Sequence, residues 1–197
     1  MSNSQLSYDG WLDKHFSIIT GRKSVLELGC GRGDDTSFLA KTGHIVVSCD
    51  VDDRAVEHIK NSYPGVFTCK FDMRDRFPFA VSSADIIIAS LCLHFFTQDV
   101  TRGILSEIGR VLKRDGLFLC RLNSDKGFKQ GMGPEPELAP GLYMTGGGMK
   151  QFYNEEMVRA LFSGWNIISV DEYETVKFSK QNVVFEIVMK PRRENEE

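Results

Sequence analysis

Residues 24–35 read SVLELGCGRGDD, the most informative stretch of the chain for its fold class. A short apolar run leads directly into glycines at positions 29, 31 and 33, and two aspartates follow. Glycine adopts positive φ angles without steric cost and lets a ligand or another backbone approach closely. A strand that ends in such a turn before a helix is typical of nucleotide-binding α/β proteins. The stretch therefore predicts a nucleoside ligand at this turn.

The glycine spacing and the two acids argue against a phosphate at the turn. A P-loop requires GxxxxGK[ST], and no lysine or hydroxyl follows at that distance. The dinucleotide fingerprint is GxGxxG, whereas the third glycine here comes one residue early. Asp34 and Asp35 occupy the predicted first helical turn, where the free N–H groups would otherwise hold a pyrophosphate. A ligand with no phosphate and with a positive centre, such as S-adenosylmethionine, fits these carboxylates better.

Acids at the ends of the next two apolar runs also fit a nucleoside. HIVVSC over 44–49 leads into Asp50, which lies 21 residues after Gly29. A carboxylate there can accept hydrogen bonds from both ribose hydroxyls, in NAD as well as in S-adenosylmethionine. The run VFTCKF leads into Asp72 and Met73, where a carboxylate can accept from the adenine amino group and a thioether can pack on the ring.

Length, charge and cysteine spacing narrow the class of protein. The 197 residues, 42% hydrophobic and 26% charged, suit one domain over 1–197. The net charge of −3 gives no basic surface for nucleic acid, and the five cysteines show no CxxC spacing for a metal. The apolar run over 84–96 is too short to cross a bilayer. We expect a soluble, cytoplasmic monomer or homodimer that binds neither nucleic acid nor membrane.

Strand-like and helix-like segments alternate along the chain, which indicates a doubly wound α/β fold. Apolar, β-branched runs predict buried parallel strands over 24–28, 44–49, 66–71, 84–90 and 116–122. Helical spacing predicts helices over 36–42, 54–62 and 101–113. Asn154 is the predicted N-cap of a last helix that ends near Phe162. Two closing strands over 165–176 and 182–190 are close enough to form an antiparallel hairpin.

Two segments lie outside this alternation. Residues 1–20 predict a helical N-terminal cap. Residues 127–148 contain seven of the 18 glycines and three of the six prolines, and no periodicity. We therefore expect a mobile loop over 123–150, which could act as a lid that excludes water.

The combined motifs resemble a known family. VLELGCGRGD, VVSCDVD, Asp72 and RFPFAVSSADIIIASLCLHFF resemble the successive motifs of class I S-adenosylmethionine-dependent methyltransferases, over roughly residues 22–122. The last part, GMKQFYNEEMVRALFSGWNIISVDEYETV, is similar to the end of small tellurite-resistance-type methyltransferases. The resemblance implies a Rossmann-like, seven-stranded sheet, mostly parallel, with an antiparallel C-terminal hairpin and helices on both faces. It also implies S-adenosylmethionine as cofactor and S-adenosylhomocysteine as product.

The resemblance assigns cofactor roles to residues that match its motifs. They are Glu27, Gly29, Gly31, Gly33, Asp50, Val51, Asp72, Met73, Ser90 and Leu91. In the family, the acid at Glu27 steadies the loop and the methionine amino group. Asp50 matches the ribose acid, and Val51 beside it packs on adenine. Ser90 and Leu91 match the lining of the methionine portion, at the switch point between the first and fourth strands.

Side chains outside those motifs are candidates for contact with the methyl acceptor. Tyr8 and Trp11 lie in the predicted N-terminal helix, with ordinary packing as the alternative. Arg121 and Asn123 end the fifth predicted strand at the face where ligands bind. Arg121 could attract an anionic acceptor or form a salt bridge to a nearby acid. Tyr153, just before the last helix, is a further candidate.

Methyl transfer from a sulfonium is a displacement with a good leaving group, so positioning can supply much of the acceleration. A soft or anionic acceptor needs no base. An alcohol would need one, and His94 after the fourth predicted strand is the candidate catalytic residue, with a packed histidine beside Phe95 and Phe96 as the alternative.

A small-molecule acceptor is expected because no basic stripe accompanies the domain. The alternative is a non-catalytic S-adenosylmethionine-binding sensor or scaffold. The glycine turn and Asp50 do not separate the two functions, whereas an open acceptor pocket beside the methyl group would.

Overall fold

The computed structural model describes residues 8–17, 19–131, 136–177 and 180–192. The strands are β1 Ser24–Leu28, β2 Ile45–Asp50, β3 Phe67–Lys70, β4 Ala84–Ser90, β5 Leu112–Asn123, β6 Glu137–Ala139, β7 Leu142–Thr145, β8 Gly148–Gln151, β9 Trp165–Lys177 and β10 Lys180–Pro191. The α-helices are α1 Asp13–Phe16, α2 Thr36–Leu39, α3 Asp53–Ser62, α4 Gln98–Val111, α5 Asp125–Gly131 and α6 Glu155–Leu161. A short 3₁₀ helix covers Leu93–Phe95.

Seven strands form one sheet in the order β3-β2-β1-β4-β5-β10-β9. The pairs β1/β2, β2/β3, β1/β4 and β4/β5 are parallel, and β10 is antiparallel to both β5 and β9. The chain therefore changes direction across the sheet between β1 and β4, which is where α/β proteins bind ligands. The predicted seven-stranded, doubly wound sheet with an antiparallel C-terminal hairpin is confirmed.

Helices cover both faces of this sheet. Successive side chains of a strand point to opposite faces of the sheet, so a strand that is buried on both sides contributes side chains to two cores. Ile87 of β4 packs in a cluster with buried residues of α4 and α6. Ile86 and Ile88 pack in a second cluster with residues of α1, α2 and α3. This division explains why β4 reads as an almost unbroken apolar run.

Side-chain caps begin α3, α4 and α6, and the cap of α6 was predicted from the sequence. The Asn154 side chain accepts a hydrogen bond from the Met157 N–H at 2.9 Å, which confirms it as the N-cap of α6. Asp52 and Thr97 cap α3 and α4 in the same way. The longest described helix, α4, has 14 residues, and no helix in the described ranges is long and apolar enough to cross a membrane.

The loop expected over 123–150 has regular structure in its described part, whereas its mobility and its role as a lid stay predictions. Helix α5 occupies its beginning, and β6, β7 and β8 form a separate antiparallel sheet. All three residues of β6 are exposed, and burial along β7 does not alternate. These strands therefore lack the period-two pattern by which a strand is recognised. Residues 132–135 lie outside the described ranges.

The N-terminal cap is less helical than predicted. Within its described part only α1, four residues long, is helical. Trp11 and Leu12 are nevertheless buried against the second core cluster, so the segment is docked. Residues 1–7 and 18 lie outside the described ranges.

Candidate functional site

A cavity of about 960 Å³ opens at the carboxyl ends of β1, β2, β4 and β5. This volume is near the top of the usual range for ligand pockets, roughly 300–1,000 Å³, and suits a site for two molecules. The predicted site residues that line it are Glu27, Gly29, Gly31, Asp50, Val51, Asp72, Met73, Ser90, Leu91, His94 and Asn123. The predicted residues that the structure places outside its lining are Tyr8, Trp11, Gly33, Arg121 and Tyr153.

The three glycines of the turn all have positive φ but meet different surroundings. A Cβ on Gly29 would lie 2.5 Å from the Cys92 Cβ, so this glycine lets the end of β4 approach. A Cβ on Gly33 would lie 2.6 Å from the Ile59 Cδ1, so the interpretation of Gly33 as a cofactor residue is corrected: it makes room for α3. A Cβ on Gly31 would meet open space in the cavity.

The Asp50 carboxylate is oriented by two backbone groups. The Gly31 N–H donates to its Oδ2 at 2.9 Å, and the Asp52 N–H donates to its Oδ1 at 3.0 Å. Each carboxylate oxygen can accept more than one hydrogen bond, so both retain capacity for a ribose. Val51 follows with 59% of its surface exposed, as expected of a side chain on which a base can pack.

Glu27 ties three elements together beneath the turn. Its buried Oε2 accepts hydrogen bonds from the Thr36 hydroxyl at 2.7 Å and from the Ser48 hydroxyl at 2.5 Å. These donors satisfy a carboxylate that would otherwise be costly to bury. The arrangement gives Glu27 the means to steady the loop, as the resemblance implies.

Asp72 and Met73 form the wall at the end of β3. Asp72 accepts hydrogen bonds from the backbone N–H and the guanidinium of Arg74, and these hold the pKa of its carboxyl below the usual range. Arg74 therefore engages both carboxylate oxygens of Asp72. The Met73 Cε lies 3.9 Å from the position that a Cβ on Gly29 would take, so the thioether reaches across the glycine turn.

The backbone at the switch point is strained. Leu91 has φ +53, in the left-handed region that bulky residues rarely adopt. Its N–H donates to the Arg121 carbonyl at 3.0 Å, which fixes this conformation. Such strain is concentrated at ligand-binding sites, and here it turns Leu91 into the cavity.

Arg121 is fully buried in the wall, and the interpretation of Arg121 as an attractor of an anionic acceptor is corrected. Its Nη1 donates to Asp9 Oδ2 at 2.6 Å, and its Nη2 lies 3.9 Å from Asp35 Oδ1. Its guanidinium lies 4.4 Å from the centroid of the Trp11 ring. Burial acts to lower the pKa of Arg121, but Asp35 and Asp9 outweigh it and raise the pKa above its ordinary value. The salt-bridge alternative is the observed one.

The three predicted aromatic acceptor contacts also have packing roles. Trp11 donates its indole N–H to Asp35 Oδ1 at 3.0 Å. Tyr8 stacks on Phe38 with 5.2 Å between the ring centroids. Tyr153 is fully buried in the main core cluster. None of them lines the cavity among the described residues, so the packing alternative is favoured.

The far end of the cavity is aromatic and carries a neutral histidine. His94 is only 5% exposed, and burial, helped by Lys150, lowers its pKa to about 3. Its Nδ1 is buried and lacks a hydrogen-bond partner among the described residues. Phe95 lies beside it with 4.2 Å between the ring centroids. This end suits a second molecule better than it suits the adenosine.

The roof of this end comes from the segment that the sequence predicts as a loop, but its hairpin and its lining residues were not predicted. It consists of residues from β7, β8, their glycine turn and the position after β8, namely Thr145, Gly146, Gly147, Lys150 and Phe152. The GGG run at 146–148 was the available signal, because a tight turn with Thr145 and Gly148 paired across it is a hairpin feature. Asn182 of β10 completes the wall and donates to Asn123 Oδ1 at 3.0 Å. No three described His, Cys, Asp or Glu side chains are grouped so as to hold a metal ion.

Comparisons with known proteins agree with this site. Residues 25–116 match a family described as a methyltransferase domain. An uncharacterized methyltransferase of Synechocystis is 33% identical over 105 residues, which are 53% of this chain and 49% of that protein. The chain thus matches about half the length of this curated relative. The family match over residues 25–116 contains the glycine turn.

Two solved structures show the same fold. A 1,6-didemethyltoxoflavin-N1-methyltransferase of Burkholderia thailandensis, solved with 1,6-didemethyltoxoflavin and S-adenosylhomocysteine, has a TM-score of 0.71 and 17% identity, covering 93% of this chain and 76% of that one. TehB from Haemophilus influenzae has a TM-score of 0.72 and 14% identity, covering 96% of this chain and 64% of that one. The glycine turn, the strand order and these matches agree: residues 25–116 are similar to methyltransferase domains, and the fold is that of solved methyltransferase structures.

Proposed function

We propose that the protein is an enzyme that transfers a methyl group from S-adenosylmethionine to a small-molecule acceptor that is soft or already anionic. The observation that carries the proposal is a single cavity with two different ends. Gly31, Asp50 and Val51 form an end suited to adenosine, and His94 with Phe95 forms another beyond Leu91.

The described residues fit the cofactor. The open space above Gly31 accommodates a nucleoside against the backbone, and Asp50 retains hydrogen-bonding capacity for the ribose. Glu27, Asp34 and Asp35 give the middle of the cavity a negative character that favours a cation. When bound there, S-adenosylmethionine supplies an electrophilic methyl group on a good leaving group.

The protein's part in the reaction is to position the two molecules. Ser90 and Leu91 separate the ends of the cavity, and their backbone is fixed through Arg121. Holding reactants in line supplies much of the acceleration of a displacement. His94 is a weak base with a pKa of about 3, so it is poorly suited to remove a proton from an alcohol. This supports an acceptor that needs no base.

The open end of the cavity at His94 and Phe95, called the acceptor end from here on, favours an enzyme over a sensor or scaffold. A protein that only senses the cofactor needs no room beyond the methyl group, whereas this cavity continues to Asn123, Lys150 and Phe152. The small-molecule acceptor is supported by the depth of the cavity and by the toxoflavin-precursor acceptor of the Burkholderia enzyme. The absence of nucleic-acid and membrane partners, the cytoplasmic location and the monomeric or homodimeric state stay predictions.

The test is a transfer assay with radiolabelled S-adenosylmethionine and thiol, tellurite, carboxylate and amine acceptors. We expect transfer to at least one soft or anionic acceptor. Tight binding of S-adenosylhomocysteine with no transfer across the whole panel would favour the sensor instead.

A further inference from the structure

The cations that line the cavity differ in their pairing. Arg74 donates to Asp72 Oδ2 at 2.5 Å, and Arg32 Nη2 lies 3.7 Å from Asp34 Oδ2. Lys150 lines the same cavity, and no carboxylate of the described residues lies within ion-pair distance of its ammonium. Within the part of the chain that the structure describes, a bound anion at this end would therefore meet a cation that no carboxylate neutralises.

The position of the Lys150 ammonium is defined by two neighbours. Its Nζ lies 5.8 Å from the centroid of the Phe95 ring, within cation–π range. The same atom lies 3.5 Å from where a Cβ on Gly147 would be, so the glycine turn leaves room for the side chain to fold over it. The ammonium thus lies at the roof of the acceptor end, above an aromatic floor.

That floor is accessible to a ligand through the Phe95 ring. Phe95 is 48% exposed although it lines the cavity, so part of its ring is open to a ligand. His94, more than nine-tenths buried beside it, has an Nδ1 with no partner in the described ranges. Because this Nδ1 has almost no accessible surface, His94 supports the Phe95 ring from behind and does not offer the atom to a ligand.

We propose that the acceptor end binds a planar, anionic small molecule, with its anionic group on Lys150 and its ring against Phe95. This inference rests on the proposed function and narrows its acceptor to aromatic anions such as carboxylates and phenolates. Lys150 acts as a recognition residue, and a cationic amine would be repelled by it at short range.

The experiment is calorimetric titration of the full chain, first saturated with S-adenosylhomocysteine, with aromatic carboxylates of one to three rings. The matched ligands are the neutral carboxamides of the same rings and the corresponding cationic amines. We expect at least one carboxylate to bind about tenfold or more tightly than its carboxamide, since a charge-assisted contact is roughly that strong. Equal binding of carboxylates and carboxamides, or tighter binding of the amines, would overturn the proposal.

Three variants assign the effect to Lys150. We expect Lys150→Gln to remove the preference for carboxylate over carboxamide, and Lys150→Arg to retain most of it. Lys60→Gln also removes one positive charge, but from an exposed position on α3, so it should not change the preference for carboxylate over carboxamide. Equal losses in Lys150→Gln and Lys60→Gln would show a general charge effect and contradict the assignment. If Lys150→Gln does not fold, the Lys150→Arg variant and the ligand series on the parent protein still test whether the site prefers an anion.

The first titration separates this inference from the proposed function. If S-adenosylhomocysteine does not bind, the proposed function fails. If it binds and methyl transfer proceeds only to a soft, non-aromatic acceptor such as a small thiol, the proposed function stands and the planar anionic acceptor is wrong.

Discussion

The Arg121 guanidinium donates to the Ser90 hydroxyl from both Nε and Nη2, at 3.0 Å and 2.9 Å. Since Arg121 also pairs with Asp9, one buried cation joins the end of β4, the end of β5 and the N-terminal segment. The shape of the cavity at the switch point therefore depends on a side chain that does not line it.

Replacing Arg121 should be strongly destabilising. We expect Arg121→Met to lower the free energy of unfolding by about 3–5 kcal/mol, because it leaves Asp9 and Asp35 without their buried partner. Arg102→Met, which removes an exposed ion pair with Asp99, should cost less than about 1 kcal/mol. Denaturant midpoints measure both, and equal losses would contradict the account of the Arg121 network.

Alanine at Gly31 should weaken cofactor binding without a special effect on stability. Gly31 and Gly43 both have positive φ, +51 and +73. A Cβ on either would have no neighbouring heavy atom within 4 Å. Each alanine variant should lose about 1–2 kcal/mol of stability from backbone strain. Only Gly31→Ala should reduce the affinity for S-adenosylhomocysteine in calorimetry, because only Gly31 lines the cavity. Equal affinities in both variants would place the nucleoside elsewhere.

Asp50→Asn should weaken cofactor binding through the ribose. The amide retains one acceptor oxygen but loses the charge, and we expect about 10- to 100-fold lower affinity for S-adenosylhomocysteine. The control is Asp53→Asn, which changes an exposed acid paired with Lys70 at the start of α3. An affinity loss no larger than that of the control would contradict the role of Asp50.

Much of this architecture can be predicted from the sequence because it depends on local signals. The apolar run of β1 has the predicted bounds, and Asn154 caps α6 as its position indicates. Gly33 was misinterpreted because its function depends on Ile59, a contact made only in the folded chain. The salt bridge of Arg121 with Asp9, 112 residues away, has no local signal. The small β6–β8 sheet, whose β7–β8 hairpin forms the roof, escaped detection because its short, partly exposed strands lack alternation.

His94 should make the fold less stable in mild acid. Its folded pKa, about 3, lies below the ordinary value of 6.5, so the unfolded chain binds this proton more readily. Stability should fall as the pH drops from about 6.5 towards 3, and His94→Asn should reduce that decline. The His94 ring should show no titration between pH 5 and 8 in NMR spectra. A midpoint near 6.5 would contradict the burial of a neutral imidazole.

Glu186 should cause a second decline in folding stability, at a lower pH than the decline caused by His94. Burial acts to raise its pKa, but hydrogen bonds from His15, Lys14 and Tyr173 outweigh this and lower the pKa to about 2. The stabilisation is present above the ordinary value of 4.5 and is lost as the pH falls towards 2. Thermal melting across this range should show a weaker pH dependence for Glu186→Gln. An unchanged slope would show that the carboxylate does not anchor the N-terminal segment.

The most direct test of the central claim is one calorimetric comparison of S-adenosylmethionine, S-adenosylhomocysteine and NADH on the same protein preparation. The cavity at LGCGRGDD should bind both sulfur ligands and show little or no affinity for NADH, whose pyrophosphate meets Asp34 and Asp35. Tight binding of NADH with no response to either sulfur ligand would contradict the assignment of this cavity to a methyl donor.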